Sequence, residues 1–171
     1  MARVWLFGED VDTDQIVPGR YAPYMTSEEE LPKHAFIEAR PEFAREVRPG
    51  DIIVAGANFG CGSSREYAPK ALKLCGVGAI IAPGFARIFF RNALNLGIPL
   101  FETDLTGVLR DGQEVTLDME RYVVVTDAGQ EYPLKPPPDF VREIWEAGST
   151  VAYFRRYGRL PGQRAREQGG E

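Results

Sequence analysis

The segment Gly56-Ala-Asn-Phe-Gly-Cys-Gly-Ser-Ser-Arg-Glu-Tyr-Ala-Pro69 joins an apparent strand to an apparent helix. The strand is Asp51-Ile-Ile-Val-Ala55, a short apolar run rich in β-branched residues. The pattern that follows predicts a helix over Arg65 to Leu74, with Gly76 as the residue after its end. A strand, a glycine-rich loop and a helix in this order indicate an α/β fold, and loops at such junctions often carry binding groups.

The side chains of this loop are suited to holding an anion. Its glycines let the backbone take positive φ values and let a ligand approach the main chain closely. Ser63 and Ser64 are predicted to lie at or next to the helix N-cap, where free amides and the helix dipole favour negative charge. Arg65 can add a bidentate clamp. The pattern indicates a carboxylate or phosphate site; the alternative is a capped helix start followed by a solvated arginine.

Composition limits the classes of protein to be considered. The chain has 171 residues and is 44% hydrophobic, which suits one domain with a proper core. A net charge of −5 argues against nucleic acid as the main partner. No apolar run approaches the roughly 20 residues that span a bilayer, and the N-terminus has no signal-peptide core. The expectation is a cytoplasmic protein with no membrane partner.

Metal ligands are scarce in this sequence. With one histidine and two cysteines, the chain cannot by itself build a conventional zinc or iron-sulfur site, so no metal-binding residue is predicted. Cys61 and Cys75 are expected to stay reduced. A catalytic pair of Cys61 with His34 is disfavoured, because His34 is expected on the surface of a short helix. Any metal chemistry therefore requires another chain.

Hydrophobic periodicity along the rest of the chain predicts a mixed α/β domain over residues 1–160, with a disordered tail over 161–171. The predicted strands are 4–7, 79–82, 114–118, 121–126 and 131–134. The predicted helices are 26–36, 41–48, 85–96, 140–147 and one that starts at 150. The last three strands form a meander.

Four blocks in order resemble one known family. The block from Asn58 to Pro69 resembles the signature of the small subunit of 3-isopropylmalate dehydratase and homoaconitase, which is similar to the swivelling C-terminal domain of aconitase. The other blocks are Asp10-Val-Asp-Thr-Asp-Gln-Ile16, Phe85-Ala-Arg-Ile-Phe-Phe-Arg-Asn92 and Asn95-Leu-Gly-Ile-Pro99. The resemblance runs from Val4 to Gly158 and implies a single-domain swivelling β/β/α fold.

The resemblance implies a subunit of a hydro-lyase that interconverts 2- and 3-isopropylmalate in leucine biosynthesis, or a homoaconitase subunit of lysine biosynthesis. In this family a separate large subunit holds a 4Fe-4S cluster through three cysteines, and the remaining iron binds the substrate's hydroxyl and a carboxylate. The small subunit binds no cofactor itself. This chain is therefore expected to be active only with a large subunit, on a small hydroxy di- or tricarboxylate.

The resemblance also assigns roles to individual residues. Ser63 matches the residue that, as an alkoxide, removes the proton next to a carboxylate. The helix N-terminus, neighbouring amides and Arg65 are expected to stabilise that oxyanion. Arg65 matches the arginine that binds a substrate carboxylate, and Ser64 matches the neighbour that supports alkoxide and substrate. Asp14 lies in the block whose aspartate faces the active site; the alternative for Asp14 is a capping residue in an Asp-rich turn.

Two features of the sequence bear on the details. Many relatives have histidine where this chain has Tyr67, which keeps a hydrogen-bonding tip and leaves the base assignment intact. Substrate choice in the family is attributed to a loop that here consists of Arg20, Tyr21, Ala22, Pro23, Tyr24, Met25 and Thr26. Its apolar tip favours the isopropyl group of isopropylmalate, whereas an arginine suits a tricarboxylate such as homoaconitate. The alternative is that the apolar residues pack the loop against its own domain.

Two other classes of function remain open at this point. A stand-alone phosphate or nucleotide binder would use the same glycine-serine-arginine turn, but no Walker-type or dinucleotide fingerprint accompanies it. A regulatory or scaffolding domain that has lost the chemistry would be expected to lose Ser63 or Arg65 first, and both are present.

Overall fold

Strands from both halves of the chain join in one seven-stranded sheet in the computed structural model, which describes residues 1–22 and 27–162. The strand order is β4-β3-β2-β1-β5-β6-β7; β1 to β4 are parallel, and β5 to β7 continue as an antiparallel meander. The strands are β1 Ala2–Leu6, β2 Ile52–Val54, β3 Ala79–Ala82, β4 Leu100–Glu102, β5 Glu114–Asp118, β6 Val123–Thr126 and β7 Glu131–Pro133.

Helices lie between and after the parallel strands. The α-helices are α1 Thr13–Ile16, α2 Glu42–Glu46, α3 Tyr67–Leu74, α4 Arg87–Asn95, α5 Asp139–Ala147 and α6 Thr150–Tyr157. Two short 3-10 helices, Gly19–Tyr21 and Leu31–His34, follow α1. No helix of the described ranges is both long enough and apolar enough to cross a membrane.

The parallel strands are buried on both faces because successive side chains of a strand point to opposite sides of the sheet. Trp5, Ile53 and Ile80 belong to one hydrophobic core, whereas Val4 and Ile52 belong to the other. Helices α3 and α4 pack over the first core, and the loop after β4 closes the second. Near-continuous apolar strands are the expected pattern for a parallel sheet covered on both faces.

Most predicted elements are confirmed, two of them with their predicted bounds, β3 and β5. The helix predicted over 26–36 is wrong, because the described part of that range contains only the 3-10 helix Leu31–His34. Helix α1 and strand β4 were not predicted. Of the predicted specificity loop, residues 23–26 lie outside the described residues, as do residues 163–171 of the predicted tail.

Helix α3 begins two residues later than the sequence pattern predicts. Its N-cap is Glu66 and its first helical residue is Tyr67, not Arg65. Proline is tolerated in the first turn of a helix, but in the interior its ring clashes with the carbonyl four residues earlier and its missing N–H breaks the ladder. A start at Arg65 would place Pro69 in the interior, whereas a start at Tyr67 leaves it in the first turn.

The topology brings three loops to one edge of the sheet. Because β1, β2 and β3 are adjacent and parallel, their carboxyl ends lie side by side, and each is followed by a loop that leads into α1, α3 or α4. Ligands of open α/β sheets bind at this edge. The glycine-serine segment is the middle loop of the three.

Candidate active site

The main chain holds the middle loop between its two neighbours. The amide of Gly60 donates to the carbonyl of Val11 at 2.7 Å, and the amide of Thr13 donates to the carbonyl of Cys61 at 2.8 Å. These bonds fix the loop after β2 against the start of α1. The loop is therefore part of a rigid framework.

Gly60 leaves no room for a side chain in this loop. Its φ is +83°, and a Cβ there would lie 2.2 Å from Cγ of Phe89, which is buried on α4. The absence of a Cβ lets the loop lie directly on the first turns of α4. The close approach sets the distance between the loop and α4, which form the two walls of the candidate site.

We expect Gly60→Ala to lower the free energy of unfolding by about 2–6 kcal/mol, since left-handed strain and overpacking in a core each cost about 1–3 kcal/mol. Gly112→Ala is the matched control, because Gly112 has φ +79° and a Cβ added there would meet nothing within 4 Å. The loss of unfolding free energy in Gly112→Ala should reflect the left-handed backbone strain alone. Urea unfolding of both variants measures the difference, and equal losses would contradict the packing argument.

Ser63 and Arg65 form the centre of the site. Nε of Arg65 donates to Oγ of Ser63 at 2.8 Å. Thr13, which is buried, donates its hydroxyl to the carbonyl of Ser63 at 3.0 Å, and its Oγ1 lies 3.5 Å from Oγ of Ser63. The Ser63 hydroxyl is thus in contact with the guanidinium of Arg65. The hydrogen bond from Thr13 fixes the main chain of Ser63.

The guanidinium of Arg65 has further partners that fix its position. Nη1 lies 2.9 Å from a carboxylate oxygen of Asp14 and donates to the hydroxyl of Tyr67 at 2.7 Å. A Cβ on Gly19 would lie 2.5 Å from Nη1, so the guanidinium fits here because residue 19 is glycine. Asp14, Tyr67 and Gly19 together place Arg65 next to Ser63.

One prediction about local structure at the site is wrong, and the alternative role considered for Asp14 is excluded. Ser63 and Ser64 are not at or next to the N-cap of α3, because that cap is Glu66 and makes no side-chain capping bond. Asp14 is not a capping residue either, since Asp12 caps α1 and forms a reciprocal capping box with Gln15. The cation of Arg65, rather than a helix N-terminus, is the positive group in contact with the Ser63 hydroxyl.

A cleft of about 210 Å³ lies between the serine loop and the first turns of α4. Ser63, Ser64 and Arg65 line one wall together with Thr13. The other residues that line the cleft are Gly60, Gly62, Ala86, Arg87, Ile88, Phe89 and Asn92. Complete small-molecule sites usually enclose about 300–1,000 Å³. The cleft is smaller than this range.

The described part of the predicted specificity loop packs against its own domain. Arg20 forms an ion pair with Glu38, the ring of Tyr21 stacks on His34 at 4.3 Å between centroids, and Ala22 is fully buried. Arg20, Tyr21 and Ala22 are not among the residues that line the cleft. The structure does not bring this part of the loop together with Ser63, and residues 23–26 lie outside the described residues.

The cysteines do not provide an activated nucleophile. Burial raises the pKa of the Cys61 thiol, and the negative charges of Asp12 and Asp10 raise it further. Burial raises the pKa of Cys75 to about 12, and the two cysteines form no disulfide. Both therefore remain thiols near neutral pH. In the described ranges, no three His, Cys, Asp or Glu side chains are grouped to hold a metal ion.

His34 differs from the prediction of a surface residue. It lies on the predicted short helical segment, here a 3-10 helix, but it is half-buried and stacked on Tyr21. Its Nδ1 is buried without a hydrogen-bond partner among the described residues. Its side chain packs against the start of the predicted specificity loop.

Four residues of the site were not singled out by the sequence patterns. Thr13, Arg87 and Asn92 lie within the motif blocks that carry the family resemblance, but nothing in the spacing of those blocks distinguishes them from their neighbours. Gly19 lies outside the blocks, and its contact with Arg65 depends on tertiary structure.

The chain is thus an α/β domain that presents a serine-arginine pair at the carboxyl edge of its parallel strands. Residues 12–102 match the aconitase C-terminal domain family. The chain belongs to this family, as its resemblance predicted, and the predicted α/β swivelling-domain fold is confirmed.

Relatives and a solved structure make the family assignment more specific. The chain is 52% identical to the 3-isopropylmalate dehydratase small subunit 1 of Deinococcus radiodurans, over 95% of this chain and 92% of the relative. It is 53% identical to the homoaconitase small subunit of Thermus thermophilus, over 95% of this chain and all of that protein. The crystal structure of 3-isopropylmalate dehydratase (LeuD) from Methanocaldococcus jannaschii has a TM-score of 0.84 and 41% identity, covering 91% of this chain and 92% of the other. These similarities favour the hydro-lyase interpretation over a phosphate or nucleotide binder.

Proposed function

We propose that this chain is the small subunit of a two-subunit hydro-lyase that isomerises 2-isopropylmalate and 3-isopropylmalate by dehydration and rehydration. The names of its relatives support the class of enzyme. The observation that carries the proposal is the 2.8 Å contact between Nε of Arg65 and Oγ of Ser63. That contact gives a serine the partner it needs to act as a base.

Ser63 is the proposed base. A serine hydroxyl is too weak an acid to ionise unaided, so an alkoxide needs a positive group beside it. The guanidinium of Arg65 lies within hydrogen-bond distance of that oxygen and carries a permanent charge. The alkoxide takes a proton from the carbon next to a carboxylate, and the electron pair left on that carbon moves toward the carboxylate.

The neighbouring residues have supporting roles in the proposal. Arg65 binds a substrate carboxylate in competition with Asp14, since its Nε contacts Ser63 and its Nη1 contacts Asp14 and Tyr67. Asp14 fixes the orientation of Arg65 through their 2.9 Å ion pair, so it acts on the site through the arginine. Ser64 is exposed in the wall of the cleft, where its hydroxyl can donate to the alkoxide or to the substrate.

The proposal includes a large subunit that carries a 4Fe-4S cluster. The residues of this chain do not fit such a cluster: the sequence has two cysteines, and the pKa of each is raised, so that both disfavour the thiolate form that binds iron. The cluster supplies a Lewis acid for the substrate's hydroxyl and a carboxylate. The small volume of the cleft supports its completion by a second subunit.

The choice of isopropylmalate rests on the predicted specificity loop. Its apolar residues Pro23 and Met25 suit an isopropyl group better than a third carboxylate, whereas Ala22 is buried in its own domain and does not line the cleft. Sequence identity does not decide between isopropylmalate and homoaconitate as the substrate, since the chain is 52% identical to the dehydratase small subunit and 53% identical to the homoaconitase small subunit. The small subunit of homoaconitase is therefore the second candidate function.

Co-expression with candidate large subunits, followed by anaerobic assays, tests the proposal. We expect the complex to isomerise isopropylmalate with a kcat/KM at least about tenfold above that for homoaconitate, since the free-energy difference for one poorly matched group in a pocket is about 1–3 kcal/mol. The isolated chain is expected to be inactive. A preference for homoaconitate would establish the second candidate, and activity of the isolated chain would overturn the two-subunit proposal.

A further inference from the structure

Arg87 is a second positive charge of the cleft. It is the first residue of α4, it is exposed, and it lines the cleft opposite the serine loop. Asn92 lies in the same wall and is half-buried. Among the described residues, neither side chain has a hydrogen-bond or ion-pair partner. Two polar side chains that line one cleft without such partners are positioned to bind a ligand.

The side chain of Arg65, in contrast to those of Arg87 and Asn92, already has hydrogen-bond and ion-pair partners. Its Nε is engaged by Ser63, and its Nη1 is shared between Tyr67 and Asp14. A substrate carboxylate that approaches Arg65 has to compete with the carboxylate of Asp14 for the same cation. Arg87 makes no such pair within the described ranges, so binding there displaces no carboxylate of those ranges.

We propose that Arg87, assisted by Asn92, binds the substrate carboxylate from the wall opposite Arg65. This inference rests on the proposed function and adds a substrate-binding residue to it. The ligand is the carboxylate next to the carbon that Ser63 deprotonates. As Ser63 takes the proton, the electron pair of the broken C–H bond moves onto that carboxylate, which becomes more negative. The interaction between the Arg87 guanidinium and this carboxylate is therefore stronger in the transition state than in the ground state.

Arg91 provides the matched control. It is an exposed arginine on the same helix, one turn beyond Arg87, and it does not line the cleft. Replacement of either arginine by glutamine removes one positive charge from α4. A general effect of net charge on anion binding should affect both variants equally, whereas a specific subsite should affect only Arg87→Gln.

The experiment measures binding to the assembled two-subunit complex by titration calorimetry. The probe is 2-isopropylsuccinate, a dicarboxylate that lacks the hydroxyl and cannot be dehydrated; 4-methylpentanoate, which lacks one carboxylate, is the comparison ligand. We expect Arg87→Gln to weaken isopropylsuccinate binding roughly 10- to 100-fold, as for a lost hydrogen bond to a charged group. Arg91→Gln should stay within about twofold of the wild type by the same measure.

Three further readouts decide between interpretations. Arg87→Lys should restore part of the affinity, because it keeps the charge but not the planar fork. The preference of the wild type for the dicarboxylate over 4-methylpentanoate should shrink in Arg87→Gln. Association of the two subunits, measured by the same calorimetry, should be unchanged. Weakened association with unchanged ligand affinity would overturn the inference and make Arg87 a subunit contact.

The inference and the proposed function can fail separately. Arg87-dependent binding of isopropylsuccinate, in a complex that turns over neither isopropylmalate nor homoaconitate, would support the subsite and contradict the proposed reaction. If Arg87→Gln and the wild type bind isopropylsuccinate with equal affinity while the wild-type complex turns over isopropylmalate normally, the proposed reaction would be supported and the subsite at Arg87 contradicted. A wild-type complex that binds no dicarboxylate would overturn the subsite.

Discussion

Ser63→Ala is expected to lower kcat of the reconstituted complex roughly 10²- to 10⁴-fold, the usual contribution of a positioned general base. KM should change little, because the alanine variant keeps Arg65 and the rest of the cleft. The large effect on kcat follows from the position of the Ser63 hydroxyl, because Nε of Arg65 donates to its Oγ at 2.8 Å. Steady-state kinetics with isopropylmalate under anaerobic conditions measure both constants.

The fold of this variant should be intact. Thr13 donates to the main-chain carbonyl of Ser63, and the loop is held by main-chain bonds of Gly60 and Cys61, none of which needs the Ser63 side chain. Thermal unfolding and subunit association should therefore match the wild type. Ser64→Ala is the control, with a smaller loss of kcat expected. A near-normal kcat in Ser63→Ala, or a larger loss in Ser64→Ala, would remove the base assignment from Ser63.

The strands were the most predictable part of the fold. β2 and β3 are short runs of buried β-branched and small residues, and strands covered on both faces have this composition wherever they occur. The meander of β5 to β7 was visible as two-residue alternation, because one sheet face there is more exposed. Both signals are local, so one sequence is enough to detect them.

Helix ends were harder to predict, although the relevant signals were present. Pro69 excludes a helix start at Arg65, yet the apolar spacing alone favours it. Asp12 and Gln15 have the spacing of a capping box, but α1 is so short that periodicity gives it no support. Strand β4 has three residues and follows a proline, which hides its alternation.

The geometry of the site depends on contacts between distant parts of the chain. The sequence singled out Ser63 and Arg65 as neighbours in one loop, but Asp14 and Gly19 lie in α1 and in the 3-10 helix after it, which follow the loop after β1, about 50 residues earlier in the chain. Only the parallel order of β1 and β2 brings the two loops together. Arg87, the first residue of α4, directly follows the third loop and lines the cleft for the same reason.

Arg65→Lys is expected to lower kcat/KM roughly 10²- to 10³-fold, the loss typical of one transition-state donor. The sequence alone favours an effect mainly on KM, through the carboxylate clamp. The 2.8 Å contact between Nε of Arg65 and Oγ of Ser63 supports an effect on kcat as well, through the expected stabilisation of the alkoxide. A lysine has one nitrogen and cannot contact Ser63, Asp14 and Tyr67 with the same planar geometry. Kinetics of the reconstituted complex separate the two constants.

A second variant tests the position of the guanidinium while leaving Arg65 unchanged. The Cβ that Gly19→Ala introduces would lie 2.5 Å from Nη1 of Arg65, so the guanidinium has to shift from the position in which it contacts Ser63 and Asp14. Gly84→Ala, which adds a Cβ with nothing within 4 Å, is the control and should behave as the wild type. If placement of the charge matters, Gly19→Ala should lower kcat in the same direction as Arg65→Lys, by roughly tenfold, since small misplacements at a reacting centre have large effects. A normal kcat in Gly19→Ala, with Arg65→Lys altering KM alone, would mean that Arg65 binds substrate without stabilising the alkoxide of Ser63.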